Sequence, residues 1–178
     1  MSVQSFVNSA KILYNNGQYE EALCLICIAM DACASKQYSD GKNAVRYKKF
    51  LKEHFSTICK YGFPGIEASS IRIKVNVPNV ALKTDKDGYV DMEQIIYHVI
   101  RCGLVHECNI ENTIQFTETS IIGDWNEKFY MPKDIIWGFI KATEEAKRLS
   151  RNYREGTSKR CQNCPSDEYK GFGDASIL

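Results

Sequence analysis

The 178-residue chain has little net charge: 23 Lys and Arg stand against 22 Asp and Glu, leaving +1. That balance excludes a uniformly basic nucleic-acid coat and an acidic tail. No run of about eighteen apolar residues occurs, so a membrane-spanning helix is not expected. Proline is scarce, at four residues, and leaves long stretches open to helix. The opening segment, MSVQSFVNSAKILYNN, lacks the basic-then-apolar order of a secretory leader, and the expectation is a cytoplasmic protein. At 178 residues, the length suits one domain, or one domain and a tail, with a core that needs no staples.

Cysteine, by contrast, is plentiful, with eight residues. In a cytoplasmic setting these are not expected to be structural disulfides. Cys24 and Cys27 lie in an apolar run and share a helix face, where free cysteine acts as a small core hydrophobe rather than a metal ligand. Cys161 and Cys164 make one CxxC in a polar tail. That is half a zinc site with no partner cluster of zinc spacing, so a redox-sensitive tail, or no role at all, is the stronger reading and no metal or other cofactor is expected.

Helical periodicity dominates. Phe6, Ala10, Leu13 and Tyr14 mark a first helix closed by Gly17. A second runs from Gln18, with Tyr19, Ala22, Leu23, Ile26, Cys27, Met30 and Ala34 as its apolar stripe. Asp40 is positioned to cap a third, with Ala44, Tyr47, Leu51, Phe55 and Ile58 facing inward, ended by Tyr61 to Gly65. Ile71 to Val77 alternates as a strand does and stops at Pro78. Asp85-Lys86-Asp87-Gly88 is a turn. It is a poor calcium loop, because Lys83 and Gln94 would fall where ligating carboxylates belong. Asp91 and Gln94 form an Asp version of a capping box on a further helix, lined by Met92, Ile95, Ile96, Val99, Ile100 and Leu104. Residues 113–122 and 127–131 read as a β-hairpin turning at 123–126, and Pro132 opens a last helix over 133–153. The fold class is mainly α with a small β-hairpin insertion. The expected domains are a helical unit, 1–153, and a polar tail, 154–178.

Charge is unevenly spread. Residues 42–60 carry six basic side chains against one acidic, and 141–160 carry seven against three, while 84–127 carry two against nine. Solvated helix faces account for this. So would two basic helices that hold a polyanion, with Lys48, Lys49 and Lys52 as substrate contacts.

One segment carries chemistry: Arg101-Cys102-Gly103-Leu104-Val105-His106-Glu107. On an α-helix, His106 falls beside the apolar stripe, and Arg101 projects about 140° away from it, near Gln94 and His98. Gly103 inside the helix costs about 1 kcal/mol relative to Ala and suggests a close approach to the backbone. A histidine so placed is commonly a core residue. A Cys102–His106 nucleophilic pair would lack the group that orients the base. Arg and His together suit RNA self-cleavage, in which the 2′-OH attacks the adjacent phosphorus. His moves the proton near neutral pH, and Arg stabilises the charged phosphorane without a metal. A symmetric dimer would bring two of each into one cleft.

Arg followed four residues later by His, late in a helix of a small helical domain, resembles the HEPN family (higher eukaryotes and prokaryotes nucleotide-binding domains). The paired opening helices, with Tyr19-Glu20-Glu21-Ala22-Leu23, and the closing helix are similar to that family's order. The resemblance covers roughly residues 5–153. It implies an up-and-down helical bundle that dimerises through the motif helices. It also implies a metal-independent endoribonuclease, often a toxin or effector in bacterial toxin–antitoxin and anti-phage defence systems. Arg101 would then hold phosphate, His106 would be the acid/base, and Glu107 would assist at the substrate. The implied partners are RNA, a second copy, and an antitoxin or defence-system protein. Cys102 and Cys108 depart from the polar residue and the tyrosine found at those places in subsets of the family. Inactive members serve as dimerisation or ligand-binding modules, which is the alternative reading.

Overall fold

The computed structural model describes residues 2–75, 82–104, 114–125 and 128–161, with side chains for all of these except 124–125 and 149–161. Helices dominate it. Helix α1 (Val3–Asn15) starts at Ser2, whose hydroxyl accepts from the Ser5 N–H while the Ser5 hydroxyl accepts from the Ser2 N–H. Gly17, at a φ of 77°, makes the left-handed turn that ends the hairpin arm. Helix α2 (Tyr19–Gln37) is apolar on nearly every side, as a central helix must be. Leu23, Ile26, Cys27, Met30 and Ala34 are fully buried in it, as the sequence stripe predicts.

The third helical run is broken. Helix α3 (Asn43–Glu53) and helix α4 (Phe55–Gly62) are separated at His54, whose φ of −102° and ψ of 10° leave the helical region. The His54 ring packs on Phe50 at 4.6 Å between centroids, and its Nδ1 lies 3.7 Å from Glu145. The expected cap is also displaced. Lys42, not Asp40, holds the N-cap of α3 and makes no side-chain cap bond.

Helix α6 (Ile135–Cys161) packs along α4, α2 and α1. Its crossing with α4 is a backbone contact. A Cβ on Gly138 would stand 2.5 Å from the Ile58 carbonyl oxygen, and one on Gly62 would stand 2.9 Å from the Ile135 Cα. Close approach falls at these two glycines. Helix α6 also passes the expected end at 153 and runs through Gly156 to Cys161. Once a long helix is nucleated, one glycine costs less than starting anew. Cys164 lies outside the described residues.

Two small sheets decorate the bundle. Strands β1 (Arg72–Lys74) and β2 (Tyr89–Asp91) pair antiparallel, with Ile73 opposite Val90. The second sheet departs from the expected hairpin. Strand β5 (Lys128–Pro132) lies between β3 (Ile114–Thr117) and β4 (Gly123–Trp125). It pairs antiparallel with β4 and parallel with β3. Residues 113–122 therefore do not form one arm. The segment after Thr117 leaves the ladder, and the Ser120 hydroxyl donates to the Pro64 carbonyl. The fold class is mainly α, a helical bundle with small β elements. No described helix is long and apolar enough to cross a membrane.

Candidate functional site

The motif helix starts as α5 (Met92–Ile95) at Asp91. The expected capping box does not form: the Asp91 carboxylate lies 3.2 Å from the Arg72 guanidinium, and Gln94 accepts from Lys48. After one turn the backbone switches to a π-helix over Ile96–Arg101. Such i to i+5 segments are rare and concentrate at functional sites. A π-helix turns less per residue than an α-helix, so the 100° wheel drifts along it. Arg101 thus turns in toward α2 instead of standing opposite the apolar stripe, and it is 9% exposed.

Its Nη2 donates to Asp31 on α2 at 2.8 Å. Burial works against the Arg101 charge, but the hydrogen bond and charge of Asp31 outweigh it and raise its pKa further. The guanidinium also stands over the Tyr97 ring, 5.6 Å from its centroid. Tyr97 is the hub of this corner. The Lys48 ammonium lies 5.7 Å from its centroid, the His98 ring meets it edge-on at 4.9 Å, and Tyr47 packs on it at 5.6 Å. Lys48 donates to the Gln94 carbonyl at 3.0 Å. Burial, then the Lys48 charge, hold His98 below the ordinary histidine range. Burial, then Cys102, push the Tyr97 hydroxyl up. Beneath them Cys27 is pushed up to about 12 by burial, which makes it an inert thiol.

Of the residues expected at the site, the structure brings Arg101 and Lys48 to one ring. Lys49 turns elsewhere, 3.8 Å from Glu53 and over Tyr38 at 4.5 Å. Lys52 is exposed on α3. His106 and Glu107 lie outside the described residues. Asp31 escaped sequence reasoning, although a signal was there: it is the one charged residue in the apolar run from Ala22 to Ser35. Three of the nine acidic residues in 84–127 have ion pairs elsewhere among the described residues. Asp85 and Asp91 pair with Arg72, and Glu118 pairs with Lys133. In the described part of the second basic stretch, Lys147 donates to Gln4 of α1, and Lys141 joins Lys11 on Glu144. Among the described residues, no three His, Cys, Asp or Glu side chains are grouped to hold a metal ion.

This corner can hold an anion. Two fixed cations and a histidine meet at one ring with Asp31 as their described carboxylate, in a partly desolvated setting that strengthens each interaction. No curated protein and no solved structure matches the chain. Residues 2–148 match the profile of the family described as Rv1289, which spans the helical core and the whole described part of this corner, so the chain belongs to the Rv1289 family.

Proposed function

We propose that this protein is a metal-independent endoribonuclease with an Arg101/His106 site completed by a second copy of the chain. The observation that carries the reading is the clustering of Arg101, Lys48 and His98 on Tyr97, on a π segment that leads directly into the His106 stretch. In this mechanism His106 takes the 2′-OH proton as the oxygen attacks phosphorus. Arg101 neutralises the charge that builds on the phosphorane. The His106 of the second copy protonates the departing 5′-oxygen, leaving a 2′,3′-cyclic phosphate and a 5′-hydroxyl. Asp31 positions Arg101. The half-buried side chains of Cys24, Ile28 and Ala32 line α2 on the side of Asp31. They offer the apolar strip a symmetric partner would cover. Such an enzyme acts as a cytoplasmic toxin or defence effector, restrained by an antitoxin or another defence-system protein.

The test is RNA cleavage by the purified chain in EDTA, beside His106→Ala and Arg101→Ala. Wild type is expected to cut and leave cyclic phosphate ends. The His106 variant is expected to fall about 10²–10⁴-fold, and the Arg101 variant about 10²–10³-fold. Equal cutting by folded variants would defeat the assignment.

A second reading has its own support. Arg101 is buried and ion-paired within one chain, as in a HEPN-like dimerisation or ligand-binding module that performs no chemistry. In that case Arg101→Ala lowers stability and no cyclic phosphate appears.

A further inference from the structure

The Arg101 corner holds more hydrogen-bond donors than its own contacts use. Lys48 has three N–H groups and spends one on Gln94. Gln94 accepts that bond through its carbonyl oxygen, which leaves its NH₂ as a donor. His98 follows one helical turn along the same strip and packs edge-on against Tyr97. All three side chains are half-buried, open on one side to solvent. The charge that acts on His98 is Lys48 from α3. Arg101 of the same helix and its Asp31 from α2 lie at the Tyr97 ring. Glu93 precedes Gln94 in the same helix, and Arg46 stands two residues before Lys48 on α3, both half-buried. Asp31 bonds Arg101 at 2.8 Å. The group therefore offers donors and positive charge outward, and the one acceptor among its three side chains besides an imidazole nitrogen is already taken. An anion with several oxygens complements it. Lys48 and Arg101 stand 5.7 and 5.6 Å from the centroid of the same ring, close enough for neighbouring phosphates of one strand to meet both.

We infer that Lys48, Gln94 and His98 form a second phosphate subsite, which holds the phosphodiester next to the one at Arg101 on a single RNA strand. The inference rests on the ribonuclease reading for the identity of the strand. The subsite itself rests on the donors. Protonation of His98 becomes easier when phosphate is bound, because the anion offsets the Lys48 charge.

Two measurements on the full-length chain test it. In the first, inorganic phosphate is titrated while the His98 imidazole is followed by NMR, in wild type and in Lys48→Gln. Wild type is expected to show a saturable shift and a raised His98 pKa. Lys48→Gln is expected to raise that pKa without phosphate and to lose the response. In the second, a non-cleavable 2′-O-methyl oligoribonucleotide is bound over a range of salt. The slope of log affinity against log salt is expected to be shallower by about 0.7 in Lys48→Gln, and unchanged in Lys86→Gln, an exposed lysine of the turn before β2. An unresponsive His98, or an unchanged slope in Lys48→Gln, overturns the subsite. A phosphate response without oligonucleotide binding overturns its assignment to an RNA strand. If both measurements succeed and the wild type cuts no RNA, the subsite stands and the ribonuclease reading falls. Cleavage without either response does the reverse.

Discussion

The crossing of α4 with α6 and the corner where α3 meets the π segment are built on opposite principles. At the crossing, glycines let two backbones touch, and the surrounding Ile58, Ile135, Ile136, Phe139 and Ile140 are fully buried. Each such large side chain contributes about 1.5–3 kcal/mol by leaving water. At the corner, a buried arginine faces a carboxylate and its neighbours are amide, imidazole and ammonium groups. Desolvating such charges offsets much of their attraction, so an ion pair of this kind is weak support for a fold. The first region is what holds the molecule together. The second gains little stability from its charges, and its π turn departs from the regular helix.

The largest effect expected from breaking this contrast is at Gly138. In an isolated helix, Ala would be favoured over Gly by about 1 kcal/mol. Here the added Cβ would press on the Ile58 carbonyl, a backbone atom that no rotamer can move aside. Gly138→Ala is expected to cost about 3 kcal/mol or more. That lowers Tm by roughly 6–12 °C for a chain of this size, read by thermal denaturation. A neutral result would mean that the helices slide apart freely, and the crossing would lose its claim as the anchor of the fold.

The same contrast decides what could be read from sequence. Leu23, Ile26, Cys27 and Met30 repeat at α-helical spacing and are buried as that spacing requires. Past Ile95, where i to i+5 bonding begins, Ile96, Val99, Ile100 and Leu104 are still buried as the stripe requires, but Arg101 turns inward against the wheel. Nothing in Ile95 to Leu104 announces the change, because apolar residues there satisfy either helix. Gly103 stands inside the Arg-to-His motif, whereas Gly138, in an apolar run with no motif, makes the close contact. The parallel pairing of β3 with β5 was illegible for another reason. Alternation gives a strand's faces but says nothing of its neighbour's direction. At the candidate site, charge and chemistry single out Arg101 and Lys48 in the sequence, and the structure places both at the Tyr97 ring. Asp31 was found only when α2 was seen to face the motif helix.

Asp31→Asn gives a smaller effect and sharpens the functional side of the comparison. The amide keeps the shape of the carboxylate and removes the charge that Arg101 faces. Stability is expected to fall by about 1.5–2 kcal/mol, at the low end of the range for hydrogen bonds to charged groups. If Arg101 works on phosphate, the loss extends to catalysis. Cleavage in EDTA by still-folded protein should fall at saturating RNA, since a misdirected guanidinium no longer meets the phosphorane. A stability loss with full cleavage would leave Asp31 a purely structural partner.

The smallest expected effect lies at the margin of the apolar region, where Glu144 on α6 pairs with Lys11 of α1 at 2.6 Å and with Lys141 at 3.5 Å. Burial pushes the Glu144 carboxyl up, but the hydrogen bond and charge of Lys11, and then Lys141, outweigh it and hold its pKa below the ordinary value. A carboxylate with a depressed folded pKa adds stability that is present above its unfolded pKa and lost as pH falls through the folded one. The sign is set by Glu144. Glu144→Gln is therefore expected to lower stability at pH 7 by about 0.5–1 kcal/mol. The gap should shrink once the pH drops below ~4.3 and close when the folded wild-type carboxyl is protonated. Denaturant midpoints of both proteins across that range check it. A gap that persisted at low pH would trace the loss to the amide's own contacts and not to the missing charge, and the ion pair would contribute nothing. The α1–α6 contact would then be apolar to its edge, and the contrast with the charged corner sharper still.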